Sequence, residues 1–266
     1  MRLQFTKMQG VGNDYIYLDA RQSTVSDPAA LAVQLADRHF GVGGDGLVLL
    51  QNSAVADVKM AMFNADGSEG LMCGNAVRCV AHYLVQRGEA QQNVVRIETK
   101  SGIKEVRRIR ENFYRVKMGV PEFSSLPLAD VTPLTIVNVG NPHVVIFPSF
   151  AIDDYDISRL GKRLEHSPLF PGGTNVEFVR VVGDNTLQMR VWERGSGETL
   201  GCGTGAVAAA VASVVRGYCN REKLIKVRLP GGELLVDYAT DQANLLGPAE
   251  TVFTGSIQIK EENHAH

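Results

Sequence analysis

The chain has 266 residues, 44% of them hydrophobic, enough for one large or two ordinary domains with a buried core. A net charge of -2 supplies no basic surface for sequence-independent phosphate binding, which argues against a nucleic acid partner. The first ten residues lack an apolar signal core and no run of about 18 apolar residues exists to cross a bilayer, so no membrane partner and a soluble, cytoplasmic protein are expected.

In chain order, Arg2 to Met8 and Tyr15 to Asp19 read as two short strands around the glycine-marked turn that carries Asn13. Asp27-Pro28 then opens a helix reaching toward His39, with Asp as N-cap and Pro in the first turn. Gly41 to Gly46 is a glycine-rich turn entering a buried strand, Leu47 to Leu50. Ala76 to Gln86 is an apolar segment of helix length closed by Arg87-Gly88, and Val94 to Thr99 starts a strand pair turning at Ser101-Gly102. Met118 to Pro133, rich in Pro and Ser, reads as a linker.

The pattern then recurs. Residues 58–74, VKMAMFNADGSEGLMCG, align with residues 187–203, LQMRVWERGSGETLGCG, at an offset of 129 (187 minus 58). Met60 falls on Met189, Phe63 on Trp192, and Cys73-Gly74 on Cys202-Gly203. Gly12-Asn13 has its counterpart in Gly140-Asn141 at an offset of 128, and Val176 to Val182 repeats the buried strand. The second helical segment, Gly205 to Val215, is almost all Ala and Val, and a helix apolar all round is a buried one. The expected fold is α/β (α+β): two pseudo-symmetric domains, each a curved, mostly antiparallel sheet wrapped around a central helix, with the active site in the cleft between them. The division expected is 1–117 and 118–251, with the last strand, 252–266, lying outside the second repeat and returning to the first domain. Lys260 to His266 is expected to fray.

Four cysteines, Cys73, Cys79, Cys202 and Cys219, are too few for a disulfide scaffold and lack zinc-knuckle spacing. Cys73 and Cys202 each stand before a helix and a glycine, where backbone N-H groups and the helix dipole favour an anion. This placement predicts a thiol pKa below the reference of about 8.5. Gly74 and Gly203 would let a substrate carboxylate approach the same N-H groups. Two such cysteines across a cleft suit inversion of a stereocentre: one thiolate removes an α-proton and the opposite thiol returns a proton to the other face. Cys79 and Cys219 align with Ala208 and Ala90 and read as structural thiols. Gly201 to Ala206 also satisfies the Gly-x-Gly-x-x-Ala dinucleotide fingerprint, weakly, because a loop separates it from the preceding strand. Glu193-Arg194, beyond a strand end, could pair with an ammonium and a carboxylate. His143 and the turn residues Asn13, Asn64, Asn75, Asn141 and Asn175 have ordinary backbone explanations taken singly.

With GNDY at Gly12, FNADGSE at Phe63, MCGNAVRC at Met72, GNPH at Gly140, TN at Thr174, ERGSGET at Glu193 and GCGTGA at Gly201, the sequence resembles the diaminopimelate epimerases over nearly its whole length. The resemblance implies acid/base roles for Cys73 and Cys202, with His143 and Glu193 beside them, and LL-2,6-diaminopimelate as the small-molecule substrate. It implies substrate contacts from Asn13, Asn64, Asn141, Asn175, Glu193 and Arg194 and from the backbones of Gly74-Asn75 and Gly203-Thr204. No cofactor or metal is implied, and a homodimer is. One departure stands at Gly46, where some members carry a substrate-contacting Gln. A racemase acting on histidine or proline is the nearest rival, and Asn75 argues against the proline branch. From another class, a binding protein or a thiol redox protein pairing Cys73 with Cys202 would share the same cysteines.

Overall fold

The computed structural model describes residues 2–70, 72–90, 93–126, 134–153 and 155–259. The first half runs β1 (Arg2–Gly10), β2 (Asn13–Asp19), α1 (Pro28–Ala36), β3 (Gly46–Gln51), β4 (Val58–Asn64), β5 (Glu69–Gly70), α2 (Gly74–Gln86), β6 (Val94–Thr99), β7 (Gly102–Arg110) and β8 (Phe113–Gly119). After β9 (Glu122–Leu126) come β10 (Leu134–Asn138), β11 (Pro142–Ile146), α3 (Ile157–Glu165), β12 (Asn175–Gly183), β13 (Thr186–Glu193), β14 (Gly197–Thr199), α4 (Gly203–Val215), β15 (Ile225–Leu229), β16 (Gly232–Asp237), β17 (Ala243–Pro248) and β18 (Glu250–Gln258).

The strands form one hydrogen-bonded ladder in the order β9-β10-β11-β12-β13-β15-β16-β17-β8-β7-β6-β4-β3-β2-β1-β18, with β5 and β14 added on β4 and β13. Read outward from the β8/β17 seam, both directions give the same pattern. Among the described residues, parallel pairing is confined to β2/β3, β4/β6, β11/β12 and β13/β15, two in each half. The rest is antiparallel, as expected.

This ladder corrects two sequence expectations. Within the supposed linker, residues 122–126 form β9, which pairs with β10; residues 127–133 lie outside the described residues. Nor does the last strand fall outside the repeat. β18 pairs with β1 as β9 pairs with β10, and Gly119 and Glu122 correspond to Gly247 and Glu250 at an offset of 128. Each half's terminal strand thus completes the sheet of the other half. The expected fraying of residues 260–266 also lies outside the described residues.

Local chemistry explains the helices. The Asp27 carboxylate caps α1 by accepting from Ala30 N at 3.0 Å, and α1 ends at Ala36 rather than near His39 because the chain turns back, with Val42 N donating to Leu35 O. The segment 157–165, assigned no element from sequence, is α3, capped by Asp156. In α4 every residue from Gly203 to Ser213 is buried, and the small Ala and Val side chains let sheet strands approach on all sides. Val207 and Val211 are wholly buried, each worth about 1.5–3 kcal/mol of transfer free energy. Helix α2 is less uniform: it buries Asn75, Arg78 and His82 along with its apolar residues. One continuous apolar core runs through both helices, and smaller clusters sit beneath α1 and α3.

Candidate active site

Both cysteines take extended N-cap conformations, Cys73 with φ -128 and ψ 125 and Cys202 with φ -117 and ψ 116. The two helix N-termini meet at the seam. A Cβ added to Gly203 would lie 3.5 Å from the Gly74 Cα and 2.9 Å from the Leu245 Cδ2, so the two backbones meet with no room to spare and a side chain here would require Leu245 to shift. Leu245, on β17, pairs with Val116 of β8 and underlies both glycines.

A cavity of about 880 Å³ opens at this junction. It brings together Asn13, Asn64, Cys73, Gly74, Asn75, Asn141, Asn175, Glu193, Arg194, Cys202, Gly203 and Thr204. Of the sequence-predicted residues only His143 does not line it. That imidazole is fully buried behind the wall, where Nδ1 lies 2.6 Å from Glu177 Oε1 and Nε2 lies 3.1 Å from Asn141 Oδ1.

The hydrogen bonds at the two sulfurs are analogous but not identical. The Cys73 thiol donates to Asn13 Oδ1 at 3.3 Å, and Asn75 Nδ2 donates to the same oxygen at 3.3 Å. Cys202 Sγ lies 3.4 Å from Thr204 Oγ1 and accepts from Gly205 N at 3.4 Å, while Asn141 Nδ2 donates to Thr204 Oγ1 at 3.5 Å. Asn13/Asn75 on one side therefore play the part of Asn141/Thr204 on the other.

The thiol pKa expectation is reversed. Burial pushes Cys73 up to about 11, against the lowering effect of the Ala76 and Asn75 N-H groups. Burial also raises Cys202 well above an ordinary thiol, and the charges of Glu193 and Glu177 add to it. Helix N-termini are present, as predicted, but desolvation outweighs them. Glu193 is raised by its own burial, opposed by hydrogen bonds from Thr199 and Cys202.

Several site residues escape a reading by sequence. Arg78 is wholly buried one turn into α2 and donates to Gly74 O at 3.1 Å, Asn75 Oδ1 at 2.8 Å and Pro248 O at 3.1 Å. Its aligned counterpart is Val207 (78 plus 129). Glu177, also wholly buried, leaves Oε2 without a partner among the described residues. The signal for both is a charge flanked by apolar residues, Val77-Arg78-Cys79 in α2 and Val176-Glu177-Phe178 in β12. Asp45 lines the cavity and accepts from Asn13 Nδ2 at 2.8 Å. Beside it, Gly46 admits no side chain, since an added Cβ would lie 2.0 Å from Phe63 O. A Gln at this position would need the β3/β4 backbone to move.

The profile of the diaminopimelate epimerase family matches residues 5–124 and 135–259. The chain belongs to the diaminopimelate epimerase family. The diaminopimelate epimerase of Desulfovibrio desulfuricans is 46% identical, with 97% of this chain and 99% of that one covered. The enzyme of the same name from Acetivibrio thermocellus is 43% identical over 97% of this chain and 100% of its own. Among solved structures, a phenazine biosynthesis protein from Bacillus anthracis superposes with a TM-score of 0.73 at 18% identity, covering 97% of this chain and 100% of that one. That likeness speaks to the fold alone. The family motifs in this epimerase-family chain are the segments that build the cavity.

Proposed function

We propose that this protein is an isomerase converting LL-2,6-diaminopimelate reversibly to the meso form, in lysine and peptidoglycan precursor synthesis, by a two-base exchange between Cys73 and Cys202. The observation that carries the proposal is the placing of two cysteines, each at a helix N-cap, on one cavity at a pseudo-two-fold seam. One thiolate takes the α-proton, and the opposite thiol delivers a proton to the other face of the carbanion. The balance is one proton off and one on, with the two sulfurs exchanging ionisation states. No cofactor enters this scheme. A buried thiolate is a stronger base than a solvated one, and the raised pKa of the pair narrows the gap to a weakly acidic α-proton.

The converging N-termini of α2 and α4 direct backbone N-H groups to where negative charge develops on the reacting carboxylate. Asn64, Asn141, Asn175, Glu193 and Arg194 would recognise the substrate, with Asn13, Asn75 and Thr204 holding the sulfurs. His143, paired with Glu177, acts through Asn141 from behind the wall. Residues 1–117 with the last strand, and 118–251, are the two domains that would close on the substrate. The cytoplasm and a homodimeric assembly complete this reading.

Incubation with LL-diaminopimelate in deuterium oxide under reducing conditions is expected to give the meso product with deuterium at the α-carbon. Absence of both products would sink the reading. Product formed from histidine or proline instead would reassign the substrate.

A further inference from the structure

Glu165 of α3 takes no part in the proton exchange and does not line the cavity, yet its carboxylate holds the turn that does. It ends the helix, is 8% exposed, and its carboxylate accepts two N-H donors from the turn that leaves β13. Oε2 accepts from Trp192 Nε1 at 2.7 Å, and Oε1 accepts from Gly195 N at 2.7 Å. The exposed His166 ring also comes within 3.8 Å of Oε2. These two bonds bracket Glu193 and Arg194.

Arg194 is held at further points by the same part of the fold. Its backbone N donates to Asn175 Oδ1 at 3.0 Å, its Nη1 donates to Gly172 O at 3.0 Å, and its side chain passes over Gly173, where a Cβ would lie 2.9 Å from Cδ. Helix α3 sits flush on the Trp192 indole at Gly161, where a Cβ would lie 2.5 Å from the ring. Among the described residues Arg194 forms no ion pair, so its charge on the cavity wall is available to an anion.

The first half lacks this arrangement. At an offset of 129, Glu165 corresponds to Ala36, Trp192 to Phe63 and Arg194 to Ala65. Both turns close on themselves, by Gly67 N to Asn64 O at 3.0 Å in the first half and Ser196 N to Glu193 O at 3.1 Å in the second, and the first is tied to its neighbouring loop by a backbone bond, Ala65 N to Asp45 O at 3.0 Å, where the second has the Glu165 carboxylate. Of the two turns, the one that carries an arginine is the one with a carboxylate clamp.

We propose that Glu165 is a positioning residue for substrate specificity: its carboxylate clamps the Trp192–Gly195 turn and so presents the Arg194 guanidinium to the carboxylate at the non-reacting end of the substrate. The proposal rests on the reading that Arg194 contacts substrate. The clamp requires a carboxylate, because both of its oxygens accept from N-H groups. An amide offers one acceptor and sets its own N-H against a donor. Pre-organising Arg194 spares the ordering of a flexible cation on binding, so its effect falls on KM.

Trp192 is the chain's single tryptophan, which makes the clamp visible in the intrinsic fluorescence of the whole protein. Glu165→Gln is expected to shift the emission of the ligand-free protein and to raise KM for LL-diaminopimelate roughly tenfold, with kcat changed less than about twofold. A variant with native emission and native KM overturns the clamp. Arg194→Gln, measured alongside, separates this proposal from the reading beneath it. If Arg194→Gln leaves KM unchanged, the substrate role of Arg194 fails. If Arg194→Gln raises KM and Glu165→Gln does not, the clamp alone fails. Should Glu165→Gln not fold, Trp192→Phe removes one donor while keeping the carboxylate, and is expected to raise KM about threefold; an unchanged KM there also overturns the proposal.

Discussion

The Glu193 charge raises both thiols, but the groups buried behind them differ: a cation, Arg78, in the helix behind Cys73, and Glu177 with the His143 imidazole on the Cys202 side. The backbone on the two sides is the same: an extended cysteine, a glycine, then a buried helix. Val207 stands where Arg78 would be repeated, and Val48 stands where Glu177 would be (177 minus 129). The difference teaches that the duplication fixes the position of the sulfurs, while substitutions behind the cavity wall set their surroundings separately. A symmetric pair of bases can thus serve an asymmetric substrate.

The bluntest way to break the comparison is to remove either sulfur. Cys73→Ser and Cys202→Ser are each expected to lower turnover by about a thousandfold, read as α-deuterium incorporation, because a hydroxyl is too weak an acid to replace a thiol. Full turnover in either variant defeats the two-base scheme. The buried charge comes next. Arg78→Met strands Gly74 O, Asn75 Oδ1 and the Pro248 carbonyl, and is expected to cost about 3 kcal/mol in urea unfolding. Val207→Met at the aligned position tests overpacking alone and should cost about 1–3 kcal/mol. If the valine change proves the more damaging of the two, Arg78 is not the bridge that ties α2 to β17.

A smaller effect is expected from Glu177→Gln, which keeps the shape but weakens the hold on His143. A fall in kcat of roughly tenfold with KM nearly constant would place the Glu177–His143 pair behind the Cys202 chemistry; unchanged kcat would remove it. The smallest is a pH effect on stability. An unfolded thiol ionises near the reference of about 8.5 and folded Cys73 near 11, so the folded state retains the proton longer. Stability is therefore at its full value below about pH 8 and declines as pH rises toward 11. Cys73→Ala should flatten that part of the curve, and an unaltered slope would mean the thiol is not desolvated.

Much of this arrangement is legible in the sequence because duplication doubles each signal. A cysteine before a helix says little, but two in register, each followed by glycine and an apolar helix, locate α2, α4 and the cavity between them. What stays hidden depends on distance in space. The sign of the thiol shift reverses because burial of the junction cannot be read locally, whereas helix N-termini can. Arg78 and Glu177 are visible only as charges with apolar residues on either side, and nothing in their neighbourhoods says whether they are paired. The Glu165 contact joins α3 to β13 and has no repeat to announce it. Strands β9 and β18 pair with elements whose apolar pattern gives no hint of which half they belong to.

The exchanged terminal strands have a consequence for ancestry. If the chain were cut between β9 and β10, two polypeptides of nearly equal length would remain, each lending its final strand to the other and meeting across β8 and β17. That is the topology of a strand-swapped dimer whose subunits have been joined end to end. On this view the cleft began as a subunit interface, and fusion freed its two sides to diverge.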